Sequence, residues 1–180
     1  MTRISRDLSR EEMAALVCQT LGDAGIPVVL SGGAVVSIYS ENEYESLDLD
    51  FVLTGLARRL DGAMTGLGFR KEGRHWTHPE SPFWVEFPAG PVQVGDAIVT
   101  AFAERRTAVG VLRMLAPTEC VMDRLAGYYH WDDLRCLDQA VAVTRRHDAD
   151  LARIEAWSEH EASRRKFAIF RERLERERLL

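Results

Sequence analysis

Met13, Leu16, Val17 and Leu21 recur at the three-and-four spacing of a helix with one apolar face. Ser9-Arg-Glu-Glu12 just before them reads as a capping box, with Ser9 as cap and Glu12 reaching back. Gly22 or Gly25 ends this helix. Val28-Val29-Leu30 is a short apolar run that predicts a buried strand, broken by Ser31-Gly32-Gly33. A second helix is expected from about 34 to 39, and the polar, acidic stretch 40–46 reads as a loop. From Leu47 to Leu53 the pattern alternates. Leu47, Leu49 and Phe51 fall on one face of a strand, and Asp48 and Asp50 fall on the other. A helix over about 56–67 follows, closed by Gly66 and Gly68.

Residues 69–115 read as β structure. Phe83-Trp-Val-Glu-Phe87 is a strand bracketed by Pro82 and Pro88. The segments 97–103 and 108–115 make either a hairpin or two separate strands. Pro117 and Glu119 then suit the first turn of a helix. Helices are expected over about 118–130, 133–147, 150–162 and 163–178, the last with an apolar stripe of Phe167, Phe170 and Leu174. The fold class that emerges is α/β (α+β): an α/β core over 1–115, and a C-terminal helical region over 116–180 packed on it.

Composition narrows the classes. The 180 residues are 46% hydrophobic and 28% charged, enough apolar matter for one globular domain. A net charge of −5 argues against a general nucleic-acid binder, which carries a basic excess. The three cysteines, Cys18, Cys120 and Cys136, form no C-x-x-C, so neither a disulfide framework nor a cysteine zinc site is expected. Reduced thiols and an N-terminus without an apolar leader point to the cytoplasm. No apolar run approaches the roughly 20 residues that span a bilayer, so no membrane partner is expected.

Three short features carry candidate chemistry. Gly32-Gly33, between a strand and a helix, lets the backbone approach a bulky anion at a helix N-terminus, and Ser31 adds a hydroxyl. The same dipeptide also simply makes turns. Asp48 and Asp50, at i and i+2 on a strand, point the same way and can share a hard divalent cation. A solvated strand face is the plain reading of that pair. Glu86 lies inside an aromatic strand, either as a satisfied edge glutamate or as a third carboxylate beside the aspartates.

The order of these pieces resembles the polymerase-β-like nucleotidyltransferase superfamily. The match is carried by Leu30-Ser31-Gly32-Gly33-Ala34 and Ser46-Leu47-Asp48-Leu49-Asp50-Phe51. It looks most like the AbiEii-like and uncharacterised bacterial branch. The resemblance implies a nucleotidyltransferase-fold mixed sheet with flanking helices. It also implies Mg²⁺-dependent transfer of NMP from an NTP to a tRNA, protein or small-molecule acceptor. Ser31, Gly32 and Gly33 would hold the triphosphate. Asp48 and Asp50 would bind two Mg²⁺ ions, or Mn²⁺ in their place. Glu86 would be the third metal-binding and catalytic carboxylate, activating the acceptor. In the helical half, relatives carry a lysine where this chain has Arg124. Arginine keeps a phosphate contact but offers no shiftable proton. The alternative implied is a non-catalytic member of a toxin–antitoxin or defence system that binds a nucleotide, an RNA or a protein partner.

Other signals read as ordinary. His75 and His78 are taken as loop residues. Arg70-Lys71, Arg74 and Arg105-Arg106 are taken as solvated charge, the last pair in a β turn. Arg124-x5-His130 fits the short pattern of helical ribonucleases, which occurs readily by chance.

Overall fold

The computed structural model describes residues 4–178. Met1 to Arg3, part of the N-terminal stretch read above, and Leu179 and Leu180 lie outside the described residues. The first helix, α1 (Arg10–Asp23), starts with the capping box that its sequence predicts: the Ser9 hydroxyl accepts from the Glu12 amide, and the Glu12 carboxylate accepts from the Ser9 amide. Its apolar residues are fully buried because it packs on β1 (Val28–Ser31), β9 (Val111–Leu115) and α3 (Leu60–Gly66). Between β1 and α3 the chain forms α2 (Gly32–Tyr39) and β2 (Asp48–Leu53).

Then come β3 (Arg70–Glu72), β4 (His75–Thr77) and β5 (Trp84–Glu86). A separate two-stranded ribbon is made by β6 (Gln93–Val94) and β7 (Ala97–Ile98), and β8 (Phe102–Arg106) precedes β9. The main sheet has seven strands in the order β3-β4-β5-β2-β1-β9-β8. It is mixed: β1 with β9 and β2 with β5 are parallel, and the other pairs are antiparallel. Val28, Val29 and Leu30 of the central strand β1 are all buried, and only its last residue, Ser31, is polar and part-exposed.

Four helices follow: α4 (Pro117–Trp131), α5 (Leu134–Arg146), α6 (Leu151–His160) and α7 (Arg164–Arg178). The first two pack against α2, and α7 lies on α5 and α6. Phe167, Phe170 and Leu174 are buried, as the stripe on α7 requires. The architecture is therefore a mixed α/β sheet with flanking helices followed by a helical C-terminal part. One apolar cluster runs from α1 through the sheet to α7.

Several boundaries differ from the sequence reading. The helix expected from 56 begins only at Leu60. Leu56 is exposed, and the Thr54 hydroxyl is bonded to the Pro27 carbonyl at 3.2 Å, so it caps nothing. Leu47, expected on the buried face of β2, precedes the strand and is 42% exposed. Of the two alternatives for 97–103 and 108–115 the hairpin holds, but only from Phe102 onward: β8 pairs with β9, whereas Ala97 and Ile98 form β7 and pair with β6. Arg105 and Arg106 belong to β8 rather than to a turn. His75 is a strand residue on β4, whereas His78 is in a loop.

The loop between α2 and β2 decides where the aspartates stand. Buried Arg10, 7% exposed, donates to the Ser46 carbonyl at 2.7 Å and to the Asn42 side chain. Its guanidinium lies over the Phe83 ring, 5.5 Å from the centroid. Burial lowers its pKa from the ordinary arginine value. A cation held this way ties a polar loop to both α1 and the start of β5.

Candidate functional site

At the C-terminal end of β1 the backbone turns directly into α2. Ser31 is still extended, and its hydroxyl donates to the Asp50 carbonyl at 3.3 Å instead of capping the helix. No side chain caps α2, so its first amides carry the positive end of a helix without a protein partner from that source. Gly32 makes the turn with φ +68, in the left-handed region that favours glycine. A Cβ at Gly32 would lie 2.6 Å from Asp50 Oδ2, so any side chain there, besides the strain of its φ, would displace that carboxylate. A Cβ at Gly33 would lie 3.0 Å from Ser46 Oγ. Ser46 Oγ in turn accepts from the Asp48 amide at 3.2 Å. The Ser37 hydroxyl donates to the Gly33 carbonyl and accepts from the Ser46 amide, each at 3.0 Å. Three serines and an arginine thus bind the helix start, the loop and the first aspartate into one unit.

Strand pairing assembles the rest. Ser31 is opposite Asp50, Asp50 is opposite Glu86, and Glu86 is opposite His75. Directly paired residues project from the same face, so these four form a row across β1, β2, β5 and β4. Asp48 is two residues along β2 on that face, opposite Trp84 of β5. Leu49, Phe51 and Val85 fill the other face and are fully buried. The alternation read from the sequence holds for these residues, and it separates the carboxylates from the core.

Asp50 is the group under most electrostatic stress. Burial, then the charges of Asp48 and Glu86, push its carboxyl up to about 6. Arg124 of α4 acts in the opposite sense on it, and Asp123 adds a further small push upward. Among the described residues neither the Asp48 nor the Asp50 carboxylate meets a hydrogen-bond donor or cation at bonding distance.

Glu86 is engaged differently. Its Oε1 lies 2.6 Å from His75 Nδ1, close enough for an ion pair though not aligned as a hydrogen bond, and its Oε2 lies 3.3 Å from Arg74 Nε. Arg124 donates from Nε to Asp123 at 3.0 Å and from Nη1 to Gln139 at 3.5 Å. Its burial works against charge, but Asp123 more than compensates and holds the guanidinium protonated, above its ordinary pKa.

Ser31, Gly32, Gly33, Asp48, Asp50 and Glu86 therefore come together on one face, and Arg124 reaches it from the helical half. Asp123, Arg74, His75 and Ser46 are the residues that sequence reasoning did not assign to this place. Asp123 adjoins Arg124 in the chain, which was a usable signal. The pairing of His75 with Glu86 depends on strand register and left none. Arg124 and His130 turn to different acids, since His130 Nε2 meets Glu161 Oε2 at 3.1 Å.

Among the described residues no three His, Cys, Asp or Glu side chains converge into a ready-made metal cluster. A hollow of about 540 Å³ lies elsewhere, between α4, α5 and α7, lined by Tyr128, Leu137, Ile169 and Arg173 among others. No described helix is long and apolar enough to cross a membrane.

No protein-family model matches this chain, and no curated protein does. Among solved structures, the solution structure of the antibiotic-resistance factor ANT(2'')-Ia is similar. It has 14% sequence identity and a TM-score of 0.46, over 94% of this chain and 96% of that one.

Proposed function

We propose that this chain is a divalent-metal-dependent nucleotidyltransferase that moves NMP from an NTP to a hydroxyl acceptor. The observation that carries this reading is the row Ser31–Asp50–Glu86 with Asp48 beside it, set against the unpartnered start of α2. Each part suits one part of the reaction.

The first amides of α2 and the close approach allowed by Gly32 and Gly33 suit the β- and γ-phosphates, which gain from N–H donors and the helix dipole. Asp48 and Asp50 suit a hard cation such as Mg²⁺. Two neighbouring carboxylates without protein donors, one of them held above its ordinary pKa by burial and by its neighbours, gain most from a cation. Mg²⁺ is commonly held by one or two carboxylates together with substrate phosphates, so two aspartates suffice without a third protein ligand. When bound, the metal neutralises charge that develops on the transferring phosphate.

Glu86, next to Asp50 on the neighbouring strand, is placed to take the proton of the acceptor hydroxyl. The acceptor oxygen forms a bond to the α-phosphorus, the bond from that phosphorus to the β-phosphate oxygen breaks, and pyrophosphate leaves. Arg74 and His75 lie against the two oxygens of Glu86 and fix its orientation before the transfer. The core over 1–115 supplies these groups. The helical part over 116–180 brings Arg124 to the same face, and its partnership with Asp123 keeps it charged there.

Calorimetric titration with each NTP, with and without Mg²⁺, tests the proposal. Metal-dependent binding that Asp48→Ala/Asp50→Ala abolishes supports it and names the base. An unchanged titration in that variant would remove the aspartates from the site. No binding of any NTP would favour a partner-binding role.

A further inference from the structure

We propose that Trp84 and Arg74 form the acceptor subsite and that they receive an unpaired nucleotide, by its base and its phosphate respectively. This rests on the function proposed above and deepens it to the class of acceptor.

Transfer at phosphorus runs roughly in line, so the attacking hydroxyl and the leaving pyrophosphate occupy opposite sides of the α-phosphate. The order of strands fixes which side is which. Ser31 and the start of α2 lie on one side of Asp50, and Glu86 lies on the other. With pyrophosphate drawn toward Ser31–Gly33, the acceptor enters over β5 and β4.

That side carries an indole that the fold does not otherwise use. Trp84 is paired with Asp48 and so projects from the carboxylate face. It is part-exposed and is not packed into the apolar core, whereas Trp76 and Trp157 are core residues. Its backbone amide donates to the Leu47 carbonyl at 3.2 Å, which fixes the strand that presents the ring. An aromatic face at such a place suits stacking with a nucleobase.

Both signs of charge stand near it: Asp48 directly opposite and Glu86 two residues along β5, with Arg74 against Glu86. Arg74 touches Glu86 through Nε and is 80% exposed, so the rest of its guanidinium is open to solvent. His75 holds the other oxygen of Glu86. Arg74 is the exposed cation at that edge of the carboxylate face, and a phosphate can bond to the part of its guanidinium that Glu86 leaves free. Ring, anion and sugar hydroxyl together describe a nucleotide. It can come as a free nucleoside monophosphate or as the end of a single strand.

The test uses the full chain, a fluorescein-labelled 12-nucleotide single-stranded RNA with a free 3′ hydroxyl, and adenosine 5′-monophosphate as competitor. Anisotropy is read with Mg²⁺ and a non-hydrolysable NTP analogue present. Trp84→Ala is expected to weaken RNA binding roughly tenfold, the scale of one lost base stack, and Trp84→Phe to restore most of it. Arg74→Ala should weaken binding and lower the salt slope by about one phosphate's worth. Trp131→Ala should change nothing. Competition by the monophosphate identifies a free nucleotide as sufficient, and its failure to compete identifies the strand end. The subsite is overturned if Trp84→Ala binds RNA like the parent, or if neither probe binds while NTP still does. Loss of NTP binding in the parent itself would instead strike the function on which the subsite rests.

Discussion

Asp50 and Glu86 stand directly opposite each other in the parallel pairing of β2 with β5. Neighbouring carboxylates on one face repel, and the two are treated differently by their surroundings. Glu86 has Arg74 and His75 against it, whereas Asp50 has Gly32, which offers no side chain at all. The fold stabilises one acid and leaves the other short of a cation. Such an arrangement costs stability, and places where stability is given up are frequently places of function.

That cost predicts a stabilising substitution. Asp50 titrates at about 6 when folded and near its ordinary 3.8 when unfolded. Between those values the folded state holds more protons, so stability falls as pH rises through the window and stays lowered above it. The shift corresponds to about 3 kcal/mol at most, and solvent screening reduces it to about 1–2 kcal/mol. Asp50→Asn should therefore raise the Tm at pH 7.5 without divalent metal, and the gain should vanish below about pH 4. A variant less stable than the parent at pH 7.5 would show that ionised Asp50 is already satisfied.

Divalent metal should act on the same deficit in reverse. Mg²⁺ or Mn²⁺ added with an NTP is expected to stabilise the parent, by about 2.7 kcal/mol at a hundred times the Kd. Asp48→Asn and Asp50→Asn should lose that increment. Thermal unfolding in EDTA against metal measures it, and an equal increment in parent and variants would place the metal elsewhere.

Gly32 is predicted to tolerate no side chain. Gly32→Ala puts a Cβ at φ +68 and 2.6 Å from Asp50 Oδ2. The left-handed backbone alone costs about 1 kcal/mol, and the displaced carboxylate adds to it. Urea denaturation should show a loss of about 1–3 kcal/mol, and titration should show weakened NTP binding. Gly62→Ala, in the middle of α3 with open space around it, is the control and should be stable.

Arg124 and Asp123 are predicted to act as a unit. Either removed alone leaves a largely buried partner charge, so Asp123→Ala or Arg124→Met should each cost about 3 kcal/mol. The double variant should cost less than the sum. A double-mutant cycle by urea denaturation reads the coupling, and strict additivity would mean that the two charges are independently solvated.

Much of this was legible along the chain because it depends on near neighbours. The capping box of Ser9 and Glu12, the two faces of β2 and the stripe on α7 each follow from spacing within one element. For the same reason the convergence of Asp48 and Asp50 needed no third dimension: side chains two apart on a strand point the same way. The start of α3 was misread because apolar residues near 56 look like a helix, whereas Leu56 is exposed and the chain turns until Arg59. That 97–103 splits into β7 and the start of β8 was not legible, because a strand of two residues carries no period.

What the sequence determined by itself was the helices, the first two strands, and the presence of a glycine turn, an Asp-x-Asp strand and a later acid. Local sterics and periodicity are enough for that. Only the tertiary structure decided that Ser31, Asp50, Glu86 and His75 form one row, because register between strands is a property of pairing rather than of any strand. It also decided that the charges of Asp123 and Arg124 on α4 act on Asp50, and that Trp84 stands on the carboxylate face outside the core. Charges and rings far apart in the chain act on one another only when packing removes the water between them.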